Sequence, residues 1–484
     1  MRTKTMRTKI RITARSIVFP LLILMLLTST SWAQTSDKSI LNIDEQRFHR
    51  RAVEAAYWGM PTVNIWAMRE GFKRDAGVSA NSVLYFSKPQ DWHLGITTPN
   101  NSTLYIMSFW NTQKDGPIVV EIPPTTKDVG LFGTAMDAWQ RPLIDMGGAG
   151  YDKGLGAKYL FMPPGYQEIP PKGYVPIPST NNNGWFLLRT LLKDFSKENL
   201  KKGEAFIKQI KVYPLSKANK PPKTKYVDGY GVDMNGIAPY DDTFFDALNT
   251  MVQEEPVADQ DLVAMGMLKS IGIEKGQPFK PSKQQRAMLK TAANQAHEEF
   301  MDLVINTTDP YWPKSSWSYL LIPEVVQQTG FTFKYPSYLD YSYRGQVYFT
   351  AFSSVVIYGT STQYLLAGKD DTGARLDGGA NYTLNVPANV PAKQFWSVVV
   401  YDLNTAGFVR NTPKAGVTSL DKGLKTNSDG SVDIYFGPKA PAGKDANWAP
   451  TVAGHDYFLL FRFYGPTQSL FDKSYKLPDL EEVN

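Results

Sequence analysis

Two apolar runs near the C-terminus set the strongest limit on the fold. Phe395-Trp396-Ser397-Val398-Val399-Val400-Tyr401 stops at Asp402, and Tyr457-Phe458-Leu459-Leu460-Phe461-Arg462-Phe463-Tyr464 carries a single arginine inside it. β-Branched and aromatic side chains crowd a helix but fit a pleated sheet. Between the runs lie Asp429-Gly430, Gly437-Pro438 and Asn447-Trp448-Ala449-Pro450. This punctuation predicts strands joined by tight turns, hence an antiparallel sheet.

A weaker version of the plan stands upstream. Ile118–Ile122 stops at Pro123-Pro124, Leu131–Met136 ends at Asp137, Tyr159–Met162 meets Pro163, and Phe186-Leu187-Leu188 runs into Arg189. The order of signals repeats. Thr103-Leu104-Tyr105 answers to Thr362-Gln363-Tyr364, Ile122-Pro123 to Val386-Pro387, Asp137 to Asp402 and Arg189 to Arg462. Asp137 follows Pro123 by 14 residues and Asp402 follows Pro387 by 15. The arginines follow their aspartates by 52 and 60 residues. Such register favours an ancient duplication. The expected fold class is mainly β with a helical insert (α+β), built as two jelly-roll-like antiparallel β-sandwich domains related by an internal duplication.

The intervening chain reads as helix. Phe48, Ala52, Ala55 and Ala56 recur at helical spacing after Asp44, and Pro61 is expected to end or kink that helix before a second piece, Val63–Phe72. Further helices are expected over Thr243–Val252, Asp259–Ser270 and Ser282–Val304, with Ser282 as cap. Gly345–Tyr358 reads either as part of a β region or as a buried helix. The Lys/Pro-rich stretch Ser216–Lys225 marks a boundary. The expected organisation is a signal peptide at 1–33, a helix plus first sandwich at 34–215, a helical insert or linker region at 216–330 and a second sandwich at 331–484.

The first 33 residues have the order of a secretory signal. Arg2, Lys4, Arg7, Lys9, Arg11 and Arg15 precede the apolar run Ile17–Leu27, and Ser31-Trp32-Ala33 is a small-x-small cleavage site. Cleavage after Ala33 predicts a periplasmic or secreted protein with no stable membrane span. Of 52 Lys+Arg, six lie in this leader, so the remainder carries 46 against 46 Asp+Glu. That balance offers nothing to nucleic acid. With no cysteine there is no disulfide, thiol nucleophile or thiolate metal site. The four histidines show no HxH or HExxH spacing, so no metal is expected and no cofactor is implied. No G-x-S-x-G elbow is present either.

Several segments together resemble a known family. In the first half they are Thr98-Pro99-Asn100-Asn101-Ser102-Thr103-Leu104-Tyr105, Gly116-Pro117-Ile118-Val119-Val120 with Ile122-Pro123, and Phe186-Leu187-Leu188-Arg189. In the second they include Leu376-Asp377-Gly378-Gly379-Ala380-Asn381-Tyr382, Phe395-Trp396-Ser397 with Tyr401-Asp402, Asn427-Ser428-Asp429-Gly430-Ser431, Asn447-Trp448-Ala449-Pro450 and Arg462-Phe463-Tyr464-Gly465-Pro466. The chain resembles bacterial proteins that pair domain of unknown function 1254 with domain of unknown function 1214. The resemblance implies β-sandwich, jelly-roll-like domains and no reaction. That family's first motif reads Pro-Asn-x-Asp-Thr-x-Tyr, and Ser102 stands here at the acidic position.

The candidate chemistry lies in charges on apolar strands, which must be paired or line a wet cavity. Asp137 and Arg189 are the candidate catalytic residues, with Asn100, Thr103, Tyr105, Trp139 and Gln140 as candidate ligand contacts. Asp402 and Arg462 are expected to form a buried structural pair. Asn100–Tyr105 reads equally as a self-bonded Asx/ST turn. Trp139 reads equally as core. The expected function is binding, with hydrolysis as an extension, of a polar small molecule such as a glycan. The alternative is a non-catalytic surface or periplasmic interaction module on rigid sandwiches.

Overall fold

Alternation along one strand shows how the layers are arranged. In Tyr457–Pro466, Tyr457, Leu459, Phe461 and Phe463 belong to one apolar core, while Phe458 and Leu460 belong to another. A strand buried on both faces needs a layer on each side. Here one layer is a second sheet and the other is helical. The computed structural model describes residues 42–306, 309–357 and 362–483. The leader 1–33 and its cleavage site lie outside the described residues.

Eight strands of the first half build a sandwich: β1 (Leu104–Asn111), β2 (Ile118–Ile122), β3 (Val129–Asp137), β4 (Pro142–Gly147), β5 (Ala157–Met162), β6 (Val175–Pro178), β7 (Asn183–Leu192) and β8 (Lys211–Pro214). The large sheet runs β1-β7-β3-β4, extended beyond β1 by Val83–Tyr85 and Tyr226–Asp228, and the small sheet runs β8-β2-β5-β6. The second half supplies β9 (Thr362–Ala367), β10 (Asn381–Val386), β11 (Ala392–Asp402), β12 (Gly416–Thr418), β13 (Val432–Gly437), β14 (Trp448–Pro450), β15 (Tyr457–Pro466) and β16 (Glu481–Val483). Its large sheet runs β9-β15-β11-β12, flanked by Trp317–Tyr319, and its small sheet runs β16-β10-β13-β14. Each strand of the first set therefore has a counterpart eight numbers later, in the same place. Pairing within the two sandwiches is mostly antiparallel, with β5–β6 and β13–β14 parallel.

Helices form a larger layer than one insert. α1 (Ile43–Ala76) precedes the first sandwich, and α2 (Thr243–Glu254), α3 (Leu262–Ser270), α4 (Lys283–Asn306) and α5 (Tyr341–Thr350) follow it. The architecture is thus mixed α and β. α4 begins on a capping box, with Gln285 N donating to Ser282 Oγ at 3.2 Å and Ser282 N to Gln285 Oε1 at 2.8 Å. Ile65, Met68 and Phe72 of α1 pack on Met107, Trp185 and Leu187 of the first large sheet. Ala52, Ala55, Ala56 and Trp58 pack with the other helices and with Tyr401, Phe458 and Leu460 of the second. Among the described residues no helix is long and apolar enough to cross a membrane.

Pro61 does not end α1, and the expected second piece, Val63–Phe72, continues the same helix. A proline removes the N–H that would serve the carbonyl four residues back, here that of Tyr57. α5 comes so close to that carbonyl that a Cβ on Gly345 would sit 2.7 Å from Tyr57 O. The next carbonyl, of Trp58, accepts from Arg344 Nη2 at 3.0 Å, and Pro61 O accepts from Gln140 Nε2 at 3.0 Å. Neighbouring elements supply the polar contacts around the proline, so the helix continues.

Gly345→Ala forces a side-chain atom onto that backbone and is expected to destabilise the protein by about 1–3 kcal/mol. Gly266 of α3, with open space around it, should respond oppositely, Gly266→Ala stabilising by roughly 0.5–1 kcal/mol. Urea denaturation of both variants checks the contrast; equal effects would refute the close-packing account.

Candidate functional site

Strand register decides which charges meet. Asp137 of β3 lies opposite Gly184 of β7, five residues from Arg189 on the same strand. Asp402 of β11 lies opposite Tyr457 of β15, five residues from Arg462. At ~3.3 Å per residue each separation is about 16 Å. The expected Asp402–Arg462 pair does not form, and Asp137 and Arg189 are not brought together.

The aspartates have other partners. Asp137 is buried and accepts from Trp139 N at 2.8 Å, Arg141 N at 3.1 Å and Arg141 Nε at 2.7 Å. It closes the β3–β4 turn. Gln140, in a left-handed conformation at φ 60°, joins that turn to α1 and to the chain after α5: its Nε2 reaches Pro61 O, and its Oε1 accepts from Ser353 N at 3.0 Å. Trp139 packs edge-on to Trp58 and lies under the Arg344 guanidinium, whose carbon is 5.0 Å from the ring centroid. Burial pulls the Arg344 pKa down to about 10. Asp402 accepts from Thr405 N at 2.9 Å and from the half-exposed His455 Nδ1 at 2.7 Å.

The arginines stand among tyrosines instead. Across β9, β15 and β11, one row reads Tyr364–Arg462–Ser397, and across β1, β7 and β3 the matching row reads Tyr105–Arg189–Phe132. Both rows lie on helix-facing sides of the large sheets. Arg462 is 2% exposed, with its guanidinium carbon 5.6 Å from the Tyr364 ring and 5.5 Å from the Tyr401 ring. Its Nη2 donates to Tyr401 OH, which donates to Pro99 O at 2.6 Å. Among the described residues its Nε and Nη1 have no partner, and neither do the buried hydroxyls of Ser397 and Thr103. Burial works against the charge, but a guanidinium gives up its proton only far above neutral pH, so Arg462 stays protonated among neutral phenols.

The Asn100–Tyr105 segment covers this arginine. Asn100 Oδ1 accepts from Ser102 N and Ser102 Oγ, both at 2.6 Å, an Asx turn. The turn then reaches the second half: Asn100 Nδ2 donates to Tyr464 OH at 3.1 Å, and Ser102 Oγ lies 2.9 Å from the same oxygen. Asn100 N donates to Tyr105 OH at 2.9 Å. Gln90, buried, holds the segment's backbone by donating to Thr103 O at 2.9 Å and accepting from Tyr105 N at 3.0 Å. Arg189 lies over Tyr105, 5.3 Å from its centroid, and over Phe132 at 5.5 Å.

The structure therefore brings Asn100, Thr103, Tyr105, Arg189 and Arg462 to one junction and leaves Asp137, Trp139 and Gln140 at another. Tyr364, Tyr401 and Ser397 join the first junction without having been singled out. Alternation could have found them, because Tyr364 faces Arg462 across the sheet and Ser397 flanks it. Open surface clefts lie elsewhere, one along Asn385, Asp433 and Glu481 and another along Asp128, Asp194 and Lys202. These are half-open, solvated clefts, and none of the described buried polar atoms that lack a partner lies on their lining residues. Among the described residues no group of three or more His, Cys, Asp or Glu could hold a metal ion.

Asp137→Ala leaves Arg141 and two backbone N–H groups without their acceptor and is expected to cost about 3 kcal/mol. Asp402→Ala, whose hydrogen-bond partner His455 is half exposed, should cost only about 1–2 kcal/mol. Chemical denaturation of the two variants measures both; a harmless Asp137→Ala would remove its turn-closing role.

Comparison with known proteins places this geometry. Residues 80–214 match the family described as Protein of unknown function (DUF1254), and residues 361–468 match Protein of unknown function (DUF1214). The VPA0106 protein from Vibrio parahaemolyticus is 18% identical, covering 90% of this chain and 100% of its own, with a TM-score of 0.51. An uncharacterized protein from Burkholderia cenocepacia is 13% identical, covering 91% and 96%, with a TM-score of 0.40. No curated protein matches.

Proposed function

We propose that this chain, which carries a DUF1254 region followed by a DUF1214 region, binds a small polar ligand through an anionic group at the junction of its two halves. One observation carries the reading: Arg462 keeps a charged guanidinium in the interior with its Nε and Nη1 N–H groups unanswered. A buried charge without hydrogen bonds costs several kcal/mol, on the order of what breaks a buried pair. A carboxylate or phosphate oxygen would supply a missing acceptor to one of these N–H groups, the charge-assisted contact that arginine makes strongly. Tyr364, Arg189 and Ser102 are only partly buried, so the junction reaches the surface through them. An acidic sugar meets both requirements, hydroxyls for the phenols and a carboxylate for the arginine.

The reading is binding rather than turnover. The ionisable neighbours that act most strongly on Arg462 are phenols, whereas glycoside hydrolysis needs two opposed carboxyls. We place the protein outside the cytoplasm, on the strength of the basic, apolar and small-residue order of its first 33 residues. We also infer that the halves arose by duplication of one jelly-roll-like sandwich. Identical strand order, the parallel pair at the same place in each small sheet and the repeated Tyr–Arg row support this.

Arg462→Met tests the function. Replacing a buried, poorly bonded charge by an apolar side chain of similar length is expected to leave the melting temperature unchanged or raise it. Wild-type protein in a thermal-shift panel of acetate, phosphate, glucuronate and glucose should be stabilised by the anions, by about 2.7 kcal/mol at 100-fold excess over Kd. Arg462→Met should lose that response. A wild type indifferent to every anion, or a variant that keeps the response, would remove the proposal.

A further inference from the structure

The two Tyr–Arg rows are not independent. Arg189 lies against the ring of Tyr105, and Tyr105 OH is held by Asn100, whose amide reaches Tyr464 two residues beyond Arg462. Both guanidinium charges act on the Tyr105 phenol, Arg189 more strongly than Arg462, though burial dominates and raises its pKa. Tyr105 therefore stands between one arginine from each half. Neither arginine has a carboxylate ion partner among the described residues; their neighbours are aromatic rings, phenols and one carbonyl. A ring face attracts a cation but does not neutralise it.

Two like charges around one phenol, one fully buried and one partly exposed, repel each other in a poorly solvated setting. We propose that the junction takes a ligand with two anionic groups, a dicarboxylate or a phosphate ester, with Arg462 as the inner anchor and Arg189 as the outer one. This rests on the anion-binding reading above and deepens it. The inner group meets Arg462 at Nε or Nη1, with the Ser397 and Thr103 hydroxyls as further donors. The outer group meets Arg189 where the site opens to solvent, which makes Arg189 the residue that selects for the second charge.

Isothermal titration with defined probes tests this. Butyrate and succinate share a chain length and differ by one carboxylate, malonate and glutarate vary the span, and inorganic phosphate offers a compact dianion. In wild-type protein at least one dicarboxylate should bind about tenfold or more tighter than butyrate, the gain of one charge-assisted contact. Arg189→Gln, at a partly exposed position, should erase that preference and keep the butyrate affinity. Arg462→Gln should abolish binding of both. Phosphate binding without dicarboxylate binding would assign the ligand to the phosphate class. Equal binding of butyrate and every dianion in the wild type, or a preference that survives Arg189→Gln, overturns the two-anchor assignment and leaves the single-anion reading standing. Failure of every probe to bind wild-type protein overturns both.

Discussion

The structure turns on a cation that no carboxylate among the described residues neutralises. Arg462 sits where its strand faces the helices, so water cannot reach most of it. The aromatic rings of Tyr364 and Tyr401, the Tyr401 hydroxyl and the Pro99 carbonyl are what the fold itself supplies. These contacts offset part of the desolvation cost but use only one end of the guanidinium. A residue held in this way is costly for stability, and such costs concentrate where a protein meets its ligands.

That cation also explains how the halves are joined. The turn at Asn100–Ser102 comes from the first half, yet its hydrogen bonds end on Tyr464 of the second, and Pro99 O reaches Tyr401. Thr98 extends the same clasp, donating through N to Ala406 O at 2.6 Å and through Oγ1 to Thr350 O at 2.7 Å. A short polar loop thus fixes one sheet against the other around Arg462. Rigid sheets carry the side chains and a loop completes the enclosure, the usual division of labour at binding sites.

Much of this was legible in the sequence, and the failures have one cause. Turn residues mark strand ends, so Pro123, Pro163, Pro387 and Gly437 delivered the strands and their order. The capping box at Ser282 delivered the start of α4. Pairing across strands is different, because sequence distance does not reveal register. Asp137 and Arg189 looked like partners, as did Asp402 and Arg462, because each pair ends or interrupts a neighbouring strand; a five-residue offset separates both. The charges then found local partners, Arg141 and His455, that no periodicity points to. Pro61 failed as a helix breaker for a related reason. Its effect is local, and the groups that compensate come from residues nearly 80 and 300 positions away, Gln140 and Arg344.

The placement of α1 has a consequence for the order of events during synthesis. Ile43–Ala76 leaves the ribosome long before most of what buries it, since its contacts include Leu248, Phe300, Phe349 and Phe458. Tyr57, Trp58, Met60 and Val63 must therefore wait, exposed, while several hundred further residues emerge. A nascent chain of this design cannot settle its first helix until its last strands exist. Its vulnerable interval lasts until the whole chain is free to fold together, and a holdase that shields one N-terminal apolar helix would cover most of that exposure.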